Sequence, residues 1–131
     1  MKYPANFRYT DQHEWVLLDG KAATVGITDH AQHQLGDVVY LELPKVGDPV
    51  EAGKACGTVE SVKAVSDIFS PVTGEVTEVN AALEKSPEWI NQDPHGKAWM
   101  FKVKLSSPAP LDQLMTAEQY EEYARQETSE S

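Results

Sequence analysis

The sequence predicts a mainly β fold, a sandwich or barrel of short antiparallel strands with a few short helices. Three observations predict it. Between Asp37 and Val79, Pro44, Gly47, Pro49, Gly53 and Gly57 interrupt the chain every few residues, which keeps strands short and turns tight. The runs between these breaks, at 38–41, 58–62 and 64–69, are rich in β-branched and aromatic residues. Asp19-Gly20 stands between two apolar runs, a strong short-range hairpin signal. Strands at this spacing leave no room for the crossover helices of a doubly wound sheet.

The elements follow in order. Residues 13–18 form a strand, Asp19-Gly20 turns the chain, and 22–27 return. Thr28-Asp29 offers a helix N-cap, with Gln32 three residues after Asp29 as its capping-box partner, and Gly36 is placed to stop the helix, predicting 29–35. Segments 46–50 and 73–76 each place Gly, an acid and Val around a turn, on opposite sides of Lys63, as two similar half-sheets meeting at a hairpin would. Ser86 and Pro87 open a short helix over 86–91, 93–96 turn, and 98–105 form the last strand. Pro108 and Pro110 separate that strand from a C-terminal helix over 111–123, and 126–131 read as a frayed end. The predicted core includes Val25, Ile27, Val38, Leu41, Val59, Val76, Val79 and Phe101.

At 131 residues the chain is expected to be one domain over 1–131, able to bury a core without disulfides. Eleven Lys and Arg against 21 Asp and Glu give a net charge of −10. Phosphate backbones and anionic lipid repel such a chain, so neither nucleic acid nor membrane is an expected partner. No apolar run approaches the roughly 20 residues of a membrane span. The first seven residues show neither an apolar signal core nor an Arg/Ser-rich transit pattern, so the expected location is cytoplasmic. The single cysteine, Cys56, cannot form an internal disulfide and fits a reducing compartment.

Few residues carry chemistry. His30 and His33 share a face of the predicted helix, but no third ligand has motif spacing, and His13 and His95 stand isolated, so no metal site is expected. There is no nucleophile elbow, no recognisable Cys–His pair and no phosphate-binding Gly loop, so no catalytic residue is assigned. Cys56 reads as an inert buried thiol. Lys63 remains, the sole basic residue between Lys54 and Lys85. From spacing alone it is either an ordinary solvent-facing strand lysine or the tip of a tight hairpin, where its amine is sterically free for modification.

Glu60-Ser61-Val62-Lys63-Ala64, followed by Ser66-Asp67 and Ser70-Pro71-Val72-Thr73-Gly74-Glu75-Val76, resembles the lipoyl-attachment segment of the glycine cleavage system H protein family. His13-Glu14-Trp15, the run from Val25-Gly26-Ile27 through Thr28-Asp29-His30-Ala31-Gln32, Leu35-Gly36-Asp37 and Leu43-Pro44 look like its other hallmarks. Gly47 and Gly74 match the glycines that bracket the lipoyl lysine in lipoyl domains generally. The resemblance runs from about Tyr9 to Tyr123. Val62 and Ala64 replace the methionines that flank the lysine of biotin carriers.

The resemblance implies a lipoyl-domain-like barrel-sandwich hybrid with a lipoyl-binding core at 22–105 and a C-terminal helix at 111–123. It implies lipoate joined to Lys63 as N6-lipoyllysine, taking the net charge from −10 to −11 by removing one positive charge. Glu60, Gly47 and Gly74 would serve recognition by a lipoate ligase or lipoyl/octanoyl transferase. The implied partners are the PLP-dependent glycine decarboxylase, which loads an aminomethyl group, the tetrahydrofolate-dependent aminomethyltransferase, which removes it, and dihydrolipoyl dehydrogenase, which reoxidises the dithiol. The chain, expected as a monomer, would be a carrier with no activity alone. Residues matching Glu14 and Asp67 line the cleft that shelters the loaded arm. Position 12 is more often Ser in relatives; here it is Gln12, which the resemblance places in the same cleft and which keeps the capacity to hydrogen-bond there. An alternative role is a relay that donates lipoyl or octanoyl groups to other lipoyl domains; the presence of Glu14 and Asp67 favours the carrier.

Overall fold

The structure is a computed structural model and describes residues 3–129. Nine strands build two antiparallel sheets: β1 (Phe7–Tyr9), β2 (Glu14–Asp19), β3 (Ala22–Ile27), β4 (Val38–Glu42), β5 (Pro49–Val50), β6 (Ala55–Ser61), β7 (Val65–Phe69), β8 (Gly74–Val79) and β9 (Phe101–Leu105). The larger sheet runs β1-β2-β3-β9-β8-β5 and the smaller β4-β6-β7. Helices α1 (Asp29–Leu35), α2 (Ala81–Lys85), α3 (Trp89–Gln92) and α4 (Ala117–Ser129) lie outside the ladders. No helix among the described residues is long and apolar enough to cross a membrane.

The main core joins Val16, Val25 and Phe101 of the larger sheet to Leu41, Val59 and Ile68 of the smaller. Of the predicted core, only Val79 is merely half-buried. A register shift between Val76 and Glu78 breaks the strand's alternation just before it. Segments 46–50 and 73–76 do not form separate half-sheets. They lie side by side, Pro49 opposite Glu75, tied by Gly47 N–H to Val76 O at 2.8 Å and Val76 N–H to Asp48 O at 2.9 Å.

A second core was not legible in the sequence. Phe7, Tyr9 and Trp15 pack with Tyr120 and Ala124 of α4 on the opposite face of β1 and β2. The Tyr9 and Tyr120 rings stack at 4.8 Å, and Phe7 stacks on Trp15 at 4.5 Å. Trp15 donates its indole N–H to Pro94 O at 2.9 Å and lies across Gly26, its partner on β3. A Cβ at Gly26 would stand 2.6 Å from the indole, so this glycine is required by the close approach of a ring. Because both faces of β2 are covered, Glu14, Trp15 and Val16 are all buried.

Several element ends differ from expectation. The cap of α1 is Thr28, whose hydroxyl accepts from Ala31 N–H, while Gln32 bonds the Asp29 side chain; Gly36 (φ 79) does end the helix. Residues 81–85 form α2, which the sequence reading did not separate, and Ser86 ends that helix instead of opening the next, so α3 begins at Trp89. Turn bonds to Asp93 O and Gly96 O occupy Ala98 and Trp99, so β9 begins at Phe101. The C-terminal helix begins at Ala117, not 111: Leu111–Gln113 form a single 3-10 turn, Met115 bridges to Tyr9, and Thr116 and Gln119 cap each other reciprocally. Residues 126–129 are helical rather than frayed; 130 and 131 lie outside the described residues.

Gly26→Ala is expected to lower stability by ~1–3 kcal/mol through overpacking against Trp15. Urea denaturation reads this directly, and an unchanged midpoint would show that the indole does not rest on this glycine.

Candidate functional site

Lys63 lies at an exposed turn between β6 and β7. Ser61 N–H donates to Ala64 O at 2.8 Å, closing a four-residue turn with Val62 and Lys63 at its centre. Two-residue hairpin loops usually need positive φ, hence Gly or Asn. Among the described non-glycine residues only His13 has positive φ, so this turn is made another way. The Ser61 hydroxyl accepts from Lys63 N–H at 3.3 Å and Ala64 N–H at 3.1 Å, standing in for a backbone carbonyl. Val62 N–H is anchored on Asp37 O at 3.1 Å. Val62 and Val65, 69% and 68% exposed, flank the lysine.

The Lys63 stem lies over Gly36 at the end of α1, where an added Cβ would stand 3.5 Å from its Cε. Leu35, before that glycine, and Ala64, after the lysine, both line an open cleft of about 270 Å³. The same cleft is lined by Gln12, Glu14 and Asp67, so the structure brings together the three residues predicted to form one. A second cleft, of about 260 Å³, also reaches Gln12 and Glu14 but contains Asp11, Phe69 and Ser70 in place of Asp67. The first adjoins the lysine and is the candidate site.

Its three polar groups differ in setting. Gln12 and Asp67 are exposed; Glu14 is only 2% exposed. The turn at 10–13 delivers Glu14 into the interior, with Thr10 N–H bonded to Glu14 O at 2.9 Å and His13 at φ 71. Glu14 Oε1 accepts from the Thr10 hydroxyl at 2.7 Å, and Oε2 from Phe69 N–H at 3.3 Å. Burial nonetheless pushes its pKa up to about 7, against the two hydrogen bonds and with a small addition from Asp11. Cys56 is half-buried, not buried as expected, and its inertness rests on desolvation: burial, with Glu14 nearby, pushes the thiol up to about 12.

The remaining predicted residues lie apart. Glu60 is exposed on β6 opposite Val65, one residue before the turn. Gly47 and Gly74 are on the β5–β8 side of the larger sheet, and each has a backbone reason to be glycine. Gly47 has φ 94, and a Cβ at Gly74 would stand against the carbonyl of Lys104. His13 is not isolated, as its ring lies 4.6 Å from that of His30.

A lysine on a protruding hairpin, beside a cleft with a buried carboxyl, on two antiparallel sheets of lipoyl-domain type, defines a carrier domain. Comparison with known proteins agrees. The family model described as glycine cleavage H-protein matches residues 7–127. A glycine cleavage system H protein of Acidobacterium capsulatum is 56% identical over 128 residues, covering 98% of each chain. That of Thermus thermophilus is 54% identical over 127 residues, covering 97% of this chain and 99% of its own. The crystal structure of an H protein from Mycobacterium marinum superposes with a TM-score of 0.85 at 39% identity, covering 96% of this chain and 99% of the other. The chain therefore belongs to the glycine cleavage H-protein family, and its role is that of the carrier component of the glycine cleavage system.

The setting of Glu14 has a thermodynamic consequence. The unfolded carboxyl loses its proton near the ordinary glutamate value of 4.5, the native one near 7. The native state therefore holds an extra proton between those values, and stability falls as pH rises through that window. The loss amounts to ~3 kcal/mol and is complete about one unit above pH 7. Glu14→Gln is expected to flatten this slope in denaturant melts from pH 4.5 to 8; an equal slope in the variant would place the titrating group elsewhere.

Proposed function

We propose that this chain carries lipoate as an amide on Lys63 and shelters the cargo of the arm in the Gln12–Glu14–Asp67 cleft. The observation that carries this reading is the adjacency of an exposed hairpin lysine to a cleft holding a buried carboxyl. The residues fit the group: the amine is open to a modifying enzyme, and Ala64 and Leu35 lead from it into the cleft. When attached, lipoate supplies a dithiolane that takes up and gives back a one-carbon amine and two reducing equivalents. The protein's part is to tether, orient and shield.

Glu14 is suited to a cationic amine. A carboxyl that titrates near 7 is partly protonated while the cleft is empty, which spares the cost of an unpaired buried charge. A cation in the cleft favours the ionised form, and the carboxylate then accepts a charge-assisted hydrogen bond. Asp67 and Gln12, at the exposed rim, add screened attraction and a neutral hydrogen-bond partner. The Ser61-braced turn presents Lys63 to a lipoate ligase or lipoyl/octanoyl transferase, which we expect to read Glu60 beside it, while Gly47 and Gly74 keep the surrounding sheet in shape.

The specific partners in this reading are glycine decarboxylase, aminomethyltransferase and dihydrolipoyl dehydrogenase, met one at a time by a cytoplasmic monomer with no activity of its own. A net charge of −10 steers it toward basic docking surfaces.

Intact mass of protein from the native host should show one lipoyl increment, absent in Lys63→Arg, because guanidinium forms no such amide; an increment retained in the variant would move the site. Glu14→Gln should leave lipoylation unchanged. It should accelerate formaldehyde and ammonia release from loaded carrier, without the transferase, by about tenfold, the lower range for a hydrogen bond to a charged group. Asp67→Asn, at the rim, should give a smaller acceleration. Wild-type release rates in both variants would favour a lipoyl relay over a sheltering carrier.

A further inference from the structure

One group of side chains beside the cleft is left unused by that function. His13, in the turn just before β2, His30 on α1 and Glu127 on α4 converge from three separate segments of the chain. His13 Nε2 lies 3.0 Å and His30 Nε2 3.6 Å from the same Glu127 Oε1. The three donor atoms lie within 4.8 Å of one another, the one such cluster among the described residues.

The polar bookkeeping of this cluster is incomplete. His30 Nε2 is buried and has no hydrogen-bond partner, although its side chain is only 10% exposed. A buried imidazole nitrogen without a partner costs free energy, and native structures leave few of them. Here the nitrogen faces a carboxylate and a second imidazole at the spacing of a ligand set. Around zinc, bonds of ~2.0–2.2 Å at tetrahedral angles put neighbouring donor atoms about 3.3 Å apart. The two carboxylate–imidazole separations, 3.0 and 3.6 Å, bracket that value, and the two imidazole nitrogens lie within 4.8 Å of each other.

An outer shell is also in place. His13 Nδ1 lies 2.7 Å from the Tyr120 hydroxyl, which lies 2.7 Å from Thr28 Oγ1. If a metal took Nε2, the ring proton would sit on Nδ1 and donate to the Tyr120 hydroxyl oxygen, whose own O–H would donate to Thr28 Oγ1; such a chain of hydrogen bonds fixes the tautomer and plane of a ligating histidine. Gln34 Nε2 donates to Glu127 Oε1 at 3.3 Å and steadies the carboxylate.

We propose that His13, His30 and Glu127 form a binding site for a divalent transition-metal ion, zinc in the first instance, which clips α4 to α1 and to the start of β2. Two imidazoles and a carboxylate suit zinc and its neighbours rather than magnesium or calcium, and leave one position for water. The ion would fix His13, and with it the turn that sets Glu14 in the cleft. Near Thr28 and Asp29 the exposed His33 lies 3.2 Å from Asp29, an ordinary surface pair outside the cluster.

The test uses the full chain with oxidised lipoate, so that no free dithiol competes. Calorimetric titration with zinc should give one site with a Kd in the micromolar range or tighter, and cobalt should give the visible absorption of a low-coordinate site. His30→Asn and Glu127→Gln should each weaken zinc at least about tenfold and remove the rise in melting temperature that zinc gives the parent chain. His33→Asn should change neither. Glu127 lies partly exposed near the end of α4, so that variant folds regardless of the outcome at His30. Absence of binding, or affinity unchanged in either His30→Asn or Glu127→Gln, would overturn the assignment.

Discussion

The burial of one carboxyl group organises this molecule. β2 begins with three consecutive buried residues, an unusual pattern for a strand near the sheet edge, because Trp15 faces an aromatic core closed by α4 while Glu14 and Val16 face the core between the sheets. The indole can lie flat only because Gly26 offers no side chain. Register then leaves Glu14 only 2% exposed, and a hydroxyl and a backbone N–H are its compensation. Two neutral donors fall short of what water gives a carboxylate, so its proton affinity rises.

Carrier function follows from pairing that group with an exposed lysine. Lys63 sits on a hairpin of the smaller sheet and Glu14 on a strand of the larger; the cleft is lined by both sheets, and α1 adds Leu35 to its wall with Gly36 just beyond, under the lysine stem. A tether must be open to modifying enzymes, while a shelter must exclude water. In the function proposed here, the exposed turn at Lys63 answers the first need and the buried carboxyl of Glu14 beside it the second. That the turn needs no glycine is due to Ser61, whose hydroxyl takes two backbone N–H groups.

What was legible in the sequence was local. Gly and Pro spacing and β-rich runs located the strands, while spacing alone left Lys63 open between a strand position and a hairpin tip. The shortness of the pattern also misled: the similar segments around Gly47 and Gly74 are one ladder rather than two half-sheets. Contacts between chain ends were not legible. Tyr9 and Tyr120 stack across the whole sequence, and nothing near either residue announces the other. The burial of Glu14 was equally hidden, since a glutamate before Trp-Val reads as a strand edge until the second core is known. Pro108 and Pro110 marked off a C-terminal helix but not its start, which Thr116 and Gln119 set by capping each other.

The most direct test of the account is the titration of Glu14 itself. Carboxyl carbon NMR of the lipoylated chain, assigned with Glu14→Gln, reads its midpoint without reference to folding or turnover. The account predicts a midpoint near 7 in the unloaded carrier, moving well below that when a cationic amine occupies the arm. A midpoint in the ordinary carboxylate range, or one that loading leaves unmoved, would contradict it.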